Sequence, residues 1–288
     1  SMVVAAGPYT CTSDLAYEPL EALLAYVRAK QPRVVVLLGP FVDREHPLLK
    51  EGLVDCADEE VWSQQVRDRL EQFADEVGPA VHVALAPATR DAHTQHLCFP
   101  QPPLAPEELE MGREQLVAMG NPGALECGGV NLAATTHDVL KHLASAEVSR
   151  QAGGDRMARL AGHLLAQRHF YPLFPPAPGA ALDTAFDAAL RLAATPHLLL
   201  LPSDLAPFAT AVAAPALSVV QAPDDAADAA QAMDTDMDAE APEAVCVNPG
   251  RLAKGVLGGT FAHILIQPQS PDQPTTIAAR TRVDIVKV

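Results

Sequence analysis

The sequence predicts an α/β domain in which two packed β-sheets are flanked by helices. Three observations carry this. Short, nearly uninterrupted apolar runs recur along the chain, as expected of strands buried on both faces. Segments with apolar residues at helical spacing lie between them. The carboxyl-terminal end is rich in strand patterns, which suggests a second sheet beyond the one built by the first half.

Taken in chain order, Val3–Ala6 is the first run, and Leu20, Leu23, Leu24 and Val27 form the helical stripe that follows it. Arg33–Leu38 is the second run, followed by a stripe of Val61, Trp62, Val66, Leu70 and Phe73. Val81–Ala86 and Val130–Ala134 are the next two strands. Met157, Leu160, Leu164 and Leu165 make a third stripe, with Asp155 placed to cap its helix. His197–Leu201, Ala244–Val247 and His263–Gln267 follow as strands, and Arg282–Val288 alternates polar and apolar residues like a half-exposed edge strand. Proline-rich segments at Cys98–Pro106, Tyr171–Gly179 and Asn248–Gly255 are expected to be ordered turns or extended surface chain, because proline fixes φ and stops helices. No internal repeat or clean linker divides the chain, so one domain is expected.

With 288 residues, 49% of them hydrophobic, the chain can bury a sizeable core. Its formal net charge of −16 lacks the basic footprint of a nucleic-acid binder, which argues against direct nucleic-acid binding and favours protein partners. Half of that charge comes from the Ala/Asp/Pro-rich segment Ala222–Glu243, which carries eight acids and no base and reads as a disordered surface loop. No apolar stretch is long enough to cross a membrane, and the amino terminus lacks the layout of a signal peptide. Ser1-Met2 reads as a cloning remnant, so Val3 is expected to begin a piece of something longer. The five cysteines are scattered and odd in number, which fits free thiols in a reducing compartment.

Several strands end in polar loops, where α/β proteins place ligands. Asp43, Asp91, His93, His96, His137 and His142 are the right residue types for a binuclear metal centre. Each also has a structural reading: Asp43 as a loop ion pair with Arg44, Asp91 as a turn cap, and His137 and His142 as ordinary residues starting a helix. Nothing else points to catalysis. There is no phosphate-binding or dinucleotide-binding glycine motif, no nucleophile elbow and no cysteine in an activating setting.

The segments "AAGPYT", "LLGPFVDREH", "PATRDAH", "FPQPP", "YPLFPP", "LPSDL" and "CVNPGRLAKGVLGGTFA" occur in the order found in the B subunits of DNA polymerase alpha–primase. The chain resembles that family from about Val3 to Val288. The resemblance implies a calcineurin-like metallophosphoesterase fold that has lost its activity. An active enzyme of that fold carries D-x-H after its first strand, where Gly7-Pro8-Tyr9 stands here. Its G-D-x-x-D-R motif is replaced by Gly39-Pro40-Phe41-Val42-Asp43-Arg44, with proline at the bridging aspartate. Its G-N-H-D/E motif matches Ala88-Thr89-Arg90-Asp91, and its G-H-x-H matches Asn248-Pro249-Gly250-Arg251. The degenerate positions are therefore Gly7, Tyr9, Pro40, Asp43, Arg44, Thr89, Arg90, Asp91, Asn248 and Gly250, with His137 the nearest candidate for the remaining histidine. Without the bridging carboxylate two dications would face each other unneutralised, and Arg90 would add a third positive charge, so neither metal, cofactor nor hydrolysis is expected. The resemblance further implies a nuclear accessory subunit that binds the C-terminal domain of the polymerase catalytic subunit, the primase subunits within the complex and other replication factors. It places the OB-fold and helical module of such subunits outside this chain. The competing expectation is an active metal-dependent phosphoesterase or nuclease.

Overall fold

A computed structural model describes residues 1–106, 115–150, 153–214, 242–269 and 275–288. Two sheets face each other. The first has six strands in the order β13-β12-β1-β2-β3-β4, with β1 Met2–Ala6, β2 Val34–Leu38, β3 His82–Ala86, β4 Leu116–Ala118, β12 Thr260–Ile266 and β13 Thr281–Lys287. β1 to β4 run parallel, and β12 and β13 are added antiparallel. The second has five in the order β5-β6-β7-β9-β8, with β5 Gly123–Cys127, β6 Val130–Ala134, β7 Leu198–Leu200, β8 Phe208–Ala213 and β9 Glu243–Asn248. Its three central strands are parallel and its two edges antiparallel. β10 Ala253–Lys254 and β11 Leu257–Gly258 form a small separate hairpin.

The strand period of two explains the uninterrupted apolar runs. Val3, Ala5, Val35, Leu37, Val83 and Leu85 turn outward onto helices α1 (Glu18–Lys30), α3 (Asp58–Val61) and α4 (Asp68–Val77). The residues between them, including Val4, Val36, Leu38 and Ala86, turn inward and meet Leu132, Leu198, Leu200, Val245 and Val247 of the second sheet. The other face of that sheet, with Ala133, Leu199 and Cys246, packs on α5 (Val139–Ala146) and α6 (Arg156–Gln167). Every central strand is thus covered on both faces and has no polar face to show in its sequence. A π-helical stretch, Trp62–Arg67, joins α3 to α4. The side chain of Asp155 accepts from the Met157 amide at 2.9 Å and caps α6 as expected.

The structure corrects the sequence reading in several places. The carboxyl-terminal strands do not found the second sheet. β12 and β13 return to the first sheet beside β1, and the second is built from the middle of the chain. Met2 belongs to β1, buried and paired with Ile264 and Val34. No local pattern in the sequence predicts β4, β5, β8 or the hairpin. The acidic segment lies outside the described residues but for Pro242 and Glu243, and Glu243 opens β9. All five cysteines are free. Among the described residues no helix is long and apolar enough to cross a membrane.

Candidate functional site

The carboxyl ends of both parallel strand sets meet at one edge of the molecule. The hydroxyl of Thr136, just past β6, donates to the carbonyl of Pro87, just past β3, at 2.8 Å. The Leu252 amide, past β9, donates to the carbonyl of Ala6 at the end of β1, also at 2.8 Å. The loops that hold the quoted motifs therefore converge, and their two sides are built differently.

On the first-sheet side the chain closes tightly. The amides of Gly7 and Gly39 each extend the parallel ladder by one bond, to Leu38 and Ala86, both at 2.8 Å. A Cβ on Gly7 would lie 1.9 Å from the Pro40 carbonyl oxygen, and one on Gly39 would lie 2.5 Å from Asp91 Oδ2, so only glycine fits at either place. Pro8 and Pro40 follow in cis peptides. Tyr9 is a core residue. Its ring stacks on Phe41 with centroids 5.2 Å apart, its hydroxyl lies 3.1 Å from the carbonyls of both Ala5 and Leu38, and burial pushes that hydroxyl well above its ordinary pKa.

Asp91 organises this side. Its fully buried carboxylate accepts from the amides of Phe41 and Val42 through Oδ1 and from Ala88 through Oδ2. Burial pushes its carboxyl up to about 7, against the pull of those three amides, with the nearby charge of Asp43 adding to the rise. Asp43 is buried and makes a two-pronged contact with the guanidinium of Arg90, not the pair with Arg44 that adjacency suggested. Arg44 instead donates its amide to the Arg90 carbonyl at 3.0 Å and its Nη2 to the Asp91 carbonyl at 3.4 Å, while its buried Nε has no partner. Ala92 donates to Val42 at 2.8 Å, so the second and third strand-end loops are zipped together along their backbones. Thr89 sits half-buried on this zipper.

The candidate ligands divide between separate places. His93 is buried beside Asp91, with Nδ1 3.8 Å from Oδ1, but it stacks face to face on Trp62 at 4.3 Å. Neither ring nitrogen has a hydrogen-bond partner, and burial pushes the imidazole down to about 3. His96 is exposed. His137 and His142 belong to an aromatic cluster with Phe99 and Tyr171 under the second sheet, and His137, half-buried, precedes α5 rather than beginning it. Burial pushes His137 down to about 4. Among the described residues no group of three or more His, Cys, Asp or Glu side chains is placed to hold a metal ion. The donor set here does not fit a binuclear centre, because the carboxylates nearest the converging loops are already engaged by amides and by a guanidinium.

The second-sheet side is held by amides and charges. Asn248, fully buried, uses its whole side-chain capacity. Oδ1 accepts from the amides of Ser203 and Gly250 at 2.9 Å, and Nδ2 donates to the carbonyls of Leu205 and Ala206 at 3.1 Å. Gly250 has φ +77°, and a Cβ there would meet the Thr260 hydroxyl at 2.2 Å. Arg251 reaches Asp204 at 3.1 Å and Asp138 at 3.4 Å, and Lys141 meets the other oxygen of Asp204 at 2.7 Å. Hydrogen bonds and charge from those two cations outweigh partial burial and hold the Asp204 carboxyl down at about 2. Between the two sides opens a cleft of about 530 Å³, lined by Arg90, Arg251, Lys254, Asp204, Ser203 and Thr260 among others.

Two contributors escaped sequence reasoning. His46 is buried as the N-cap of the short α2 (Pro47–Lys50). Its Nδ1 accepts from the Leu48 amide, which assigns the proton to Nε2, and Nε2 donates to the Cys11 carbonyl at 2.8 Å. It ties the first loop to the second, and its place before Pro-Leu-Leu was the readable signal. Asn121 and Gln101 form a buried amide pair that also holds Thr135 and Thr136 against the first sheet, and no spacing in the sequence announces it.

A family model for the B subunit of DNA polymerase alpha/epsilon matches residues 2–210. The DNA polymerase alpha B subunit of Mus musculus is 31% identical over 276 residues, covering 94% of this chain and 40% of the relative. The Drosophila melanogaster B subunit is 32% identical over 274 residues, covering 93% and 38%. That of Schizosaccharomyces pombe is 28% identical over 309 residues, covering 100% and 47%. The chain therefore spans less than half the length of these relatives. Matched over more than two thirds of its length by one family model, the chain belongs to the family of DNA polymerase alpha/epsilon B subunits.

Proposed function

We propose that this chain is the inactive phosphoesterase-like domain, spanning residues 3–288, of a non-catalytic accessory subunit of DNA polymerase alpha–primase. In this reading it works in the nucleus as a scaffold during initiation of DNA replication. It binds the C-terminal region of the polymerase catalytic subunit and sits in one complex with the primase subunits and other replication factors. Family membership and relatives that are named as B subunits of DNA polymerase alpha support this assignment. Two facing sheets with loops converging at one edge support the calcineurin-like reading of the fold.

The observation that carries the non-catalytic reading is the engagement of Asp91. A fully buried carboxylate that already accepts three backbone amides, two on Oδ1 and one on Oδ2, is committed to holding the loops and has no face open to water or to an incoming ion. Asp43 is likewise spent on Arg90. The degenerate positions Gly7, Tyr9, Pro40, Asn248 and Gly250 supply close backbone approach, core packing and amide bonds where an enzyme would supply ligands. Co-purification of a tagged C-terminal domain of the catalytic subunit with the full-length accessory subunit is the expected result. Failure to associate at micromolar concentrations would remove the assignment.

A further inference from the structure

The converging-loop cleft carries a charge unlike that of the rest of the molecule. The chain as a whole has a formal charge of −16. Around the cleft, Arg90, Lys141, Arg251 and Lys254 face the three carboxylates Asp43, Asp138 and Asp204, a local balance of +1. Each of these carboxylates is bound by at least one of the first three cations. Lys254 is exposed and has no carboxylate partner among the described residues. Nearly half of the Arg90 side chain also faces solvent.

Beside Lys254 stands an apolar lip. Val256 is 68% and Leu257 70% exposed, on the turn and return strand of the β10–β11 hairpin. They stand on a rigid base. Gly255 takes the first turn position with φ +62°, as a two-residue hairpin turn of this type demands, and its carbonyl accepts from the Thr12 amide at 2.8 Å. Two aliphatic side chains held in water next to that cation make a composite surface of defined chemistry.

We propose that this cleft and its hairpin lip form a docking site for an acidic protein segment, in which carboxylates engage Lys254 and the solvent face of Arg90 while a neighbouring apolar side chain covers Val256 and Leu257. The occupant follows from charge complementarity: a locally positive patch on a strongly negative protein repels extended polyanions at long range and admits only a short acidic stretch at contact. The apolar lip adds what a phosphate backbone cannot use. The site deepens the scaffold reading by naming the chemistry of one partner, and the two fail separately, because binding of the catalytic subunit's C-terminal region is measured independently of this cleft.

The test is selection of a phage-displayed random 12-residue peptide library on the immobilised chain, with Lys254→Glu and the double change Val256→Asp, Leu257→Asp as comparison baits. All three positions are exposed, and an unchanged urea midpoint shows that each variant is folded. The expected outcome is enrichment of peptides with two or more Asp/Glu beside an aliphatic or aromatic residue, whose affinity falls about tenfold or more in each variant, the effect of losing one well-placed contact. Enriched peptides without acids, affinity indifferent to both variants, or no enrichment would each overturn the proposal. So would a 12-nucleotide oligothymidylate that binds the cleft with the same dependence on Lys254, since the site would then belong to nucleic acid.

Discussion

The two sides of the converging-loop edge solve the same problem with different chemistry. On the first-sheet side, a single buried carboxylate gathers three amides, two glycines allow backbones to touch, and aromatic rings fill the remaining space. On the second-sheet side, one buried amide, Asn248, holds the backbone, and above it Arg251 and Asp138 form a largely buried ion pair that is extended to solvent by Asp204 and Lys141. The first side is closed around Asp91 and meets solvent at Arg90. The second reaches solvent through Lys141 and Asp204 at its rim. The contrast locates where a partner can approach without unmaking the fold.

The sharpest way to break this contrast is to empty the dry side. Asp91→Ala strands three buried amide donors, and at roughly 1–3 kcal/mol for each unsatisfied group the expected loss is about 4 kcal/mol, read as a fall in the urea midpoint. A loss below about 1 kcal/mol would mean that the amides find water and that the pocket is not closed. Asn248→Ala removes four bonds at the base of the wetter side, and about 2–3 kcal/mol is expected, since some of the freed groups lie near the cleft and can be rehydrated.

A third test uses pH. The His93 and His137 imidazoles are held down at about 3 and 4, so in acid the unfolded chain takes up their protons first, and the stability that they contribute is lost as pH falls below about 6.5. Asp91, raised to about 7, has the opposite sign: its contribution is full below the ordinary carboxylate value and is lost as pH rises toward 7. Between about pH 4 and 6.5 the two histidines outnumber the one carboxyl, so stability is expected to rise with pH. His93→Phe keeps the stack on Trp62, removes two unpartnered nitrogens and should cut that slope by about one proton, roughly 1.4 kcal/mol per pH unit. An unchanged slope would show that His93 is protonated or solvated in the folded state. The smallest effect is expected from Lys141→Ala, which trims a solvated ion pair and should cost less than about 1 kcal/mol, vanishing at high salt.

How legible this was depended on whether structure is local. The central strands could be read because burial on both faces leaves an unbroken apolar run, as at Val34–Leu38. β8, with the small residues of Phe208–Ala213, and β5, with Gly123 and Ala124, carry too little side chain to announce a strand. The return of β12 and β13 to the first sheet depends on pairing with β1 across the whole chain, which no local pattern encodes. At the site, motif matching found the loops, and geometry set the partners. Asp43 met Arg90, forty-seven residues away, in place of its neighbour Arg44, and His93, chosen as a ligand type, packed on Trp62 as a core ring. Asn121 carries no sequence signal, because a buried amide network depends on which loops meet, and its own segment says nothing of that.

The central claim is that the protein's own amides and guanidinium occupy the carboxylates that a catalytic metal would need. Metal content measures this most directly: the purified chain is incubated with excess Mn²⁺, desalted and analysed by inductively coupled plasma mass spectrometry, with cleavage of bis-p-nitrophenyl phosphate followed in parallel. Metal far below one ion per chain and no hydrolysis above buffer are the expected results. One to two ions per chain with measurable cleavage would contradict the claim.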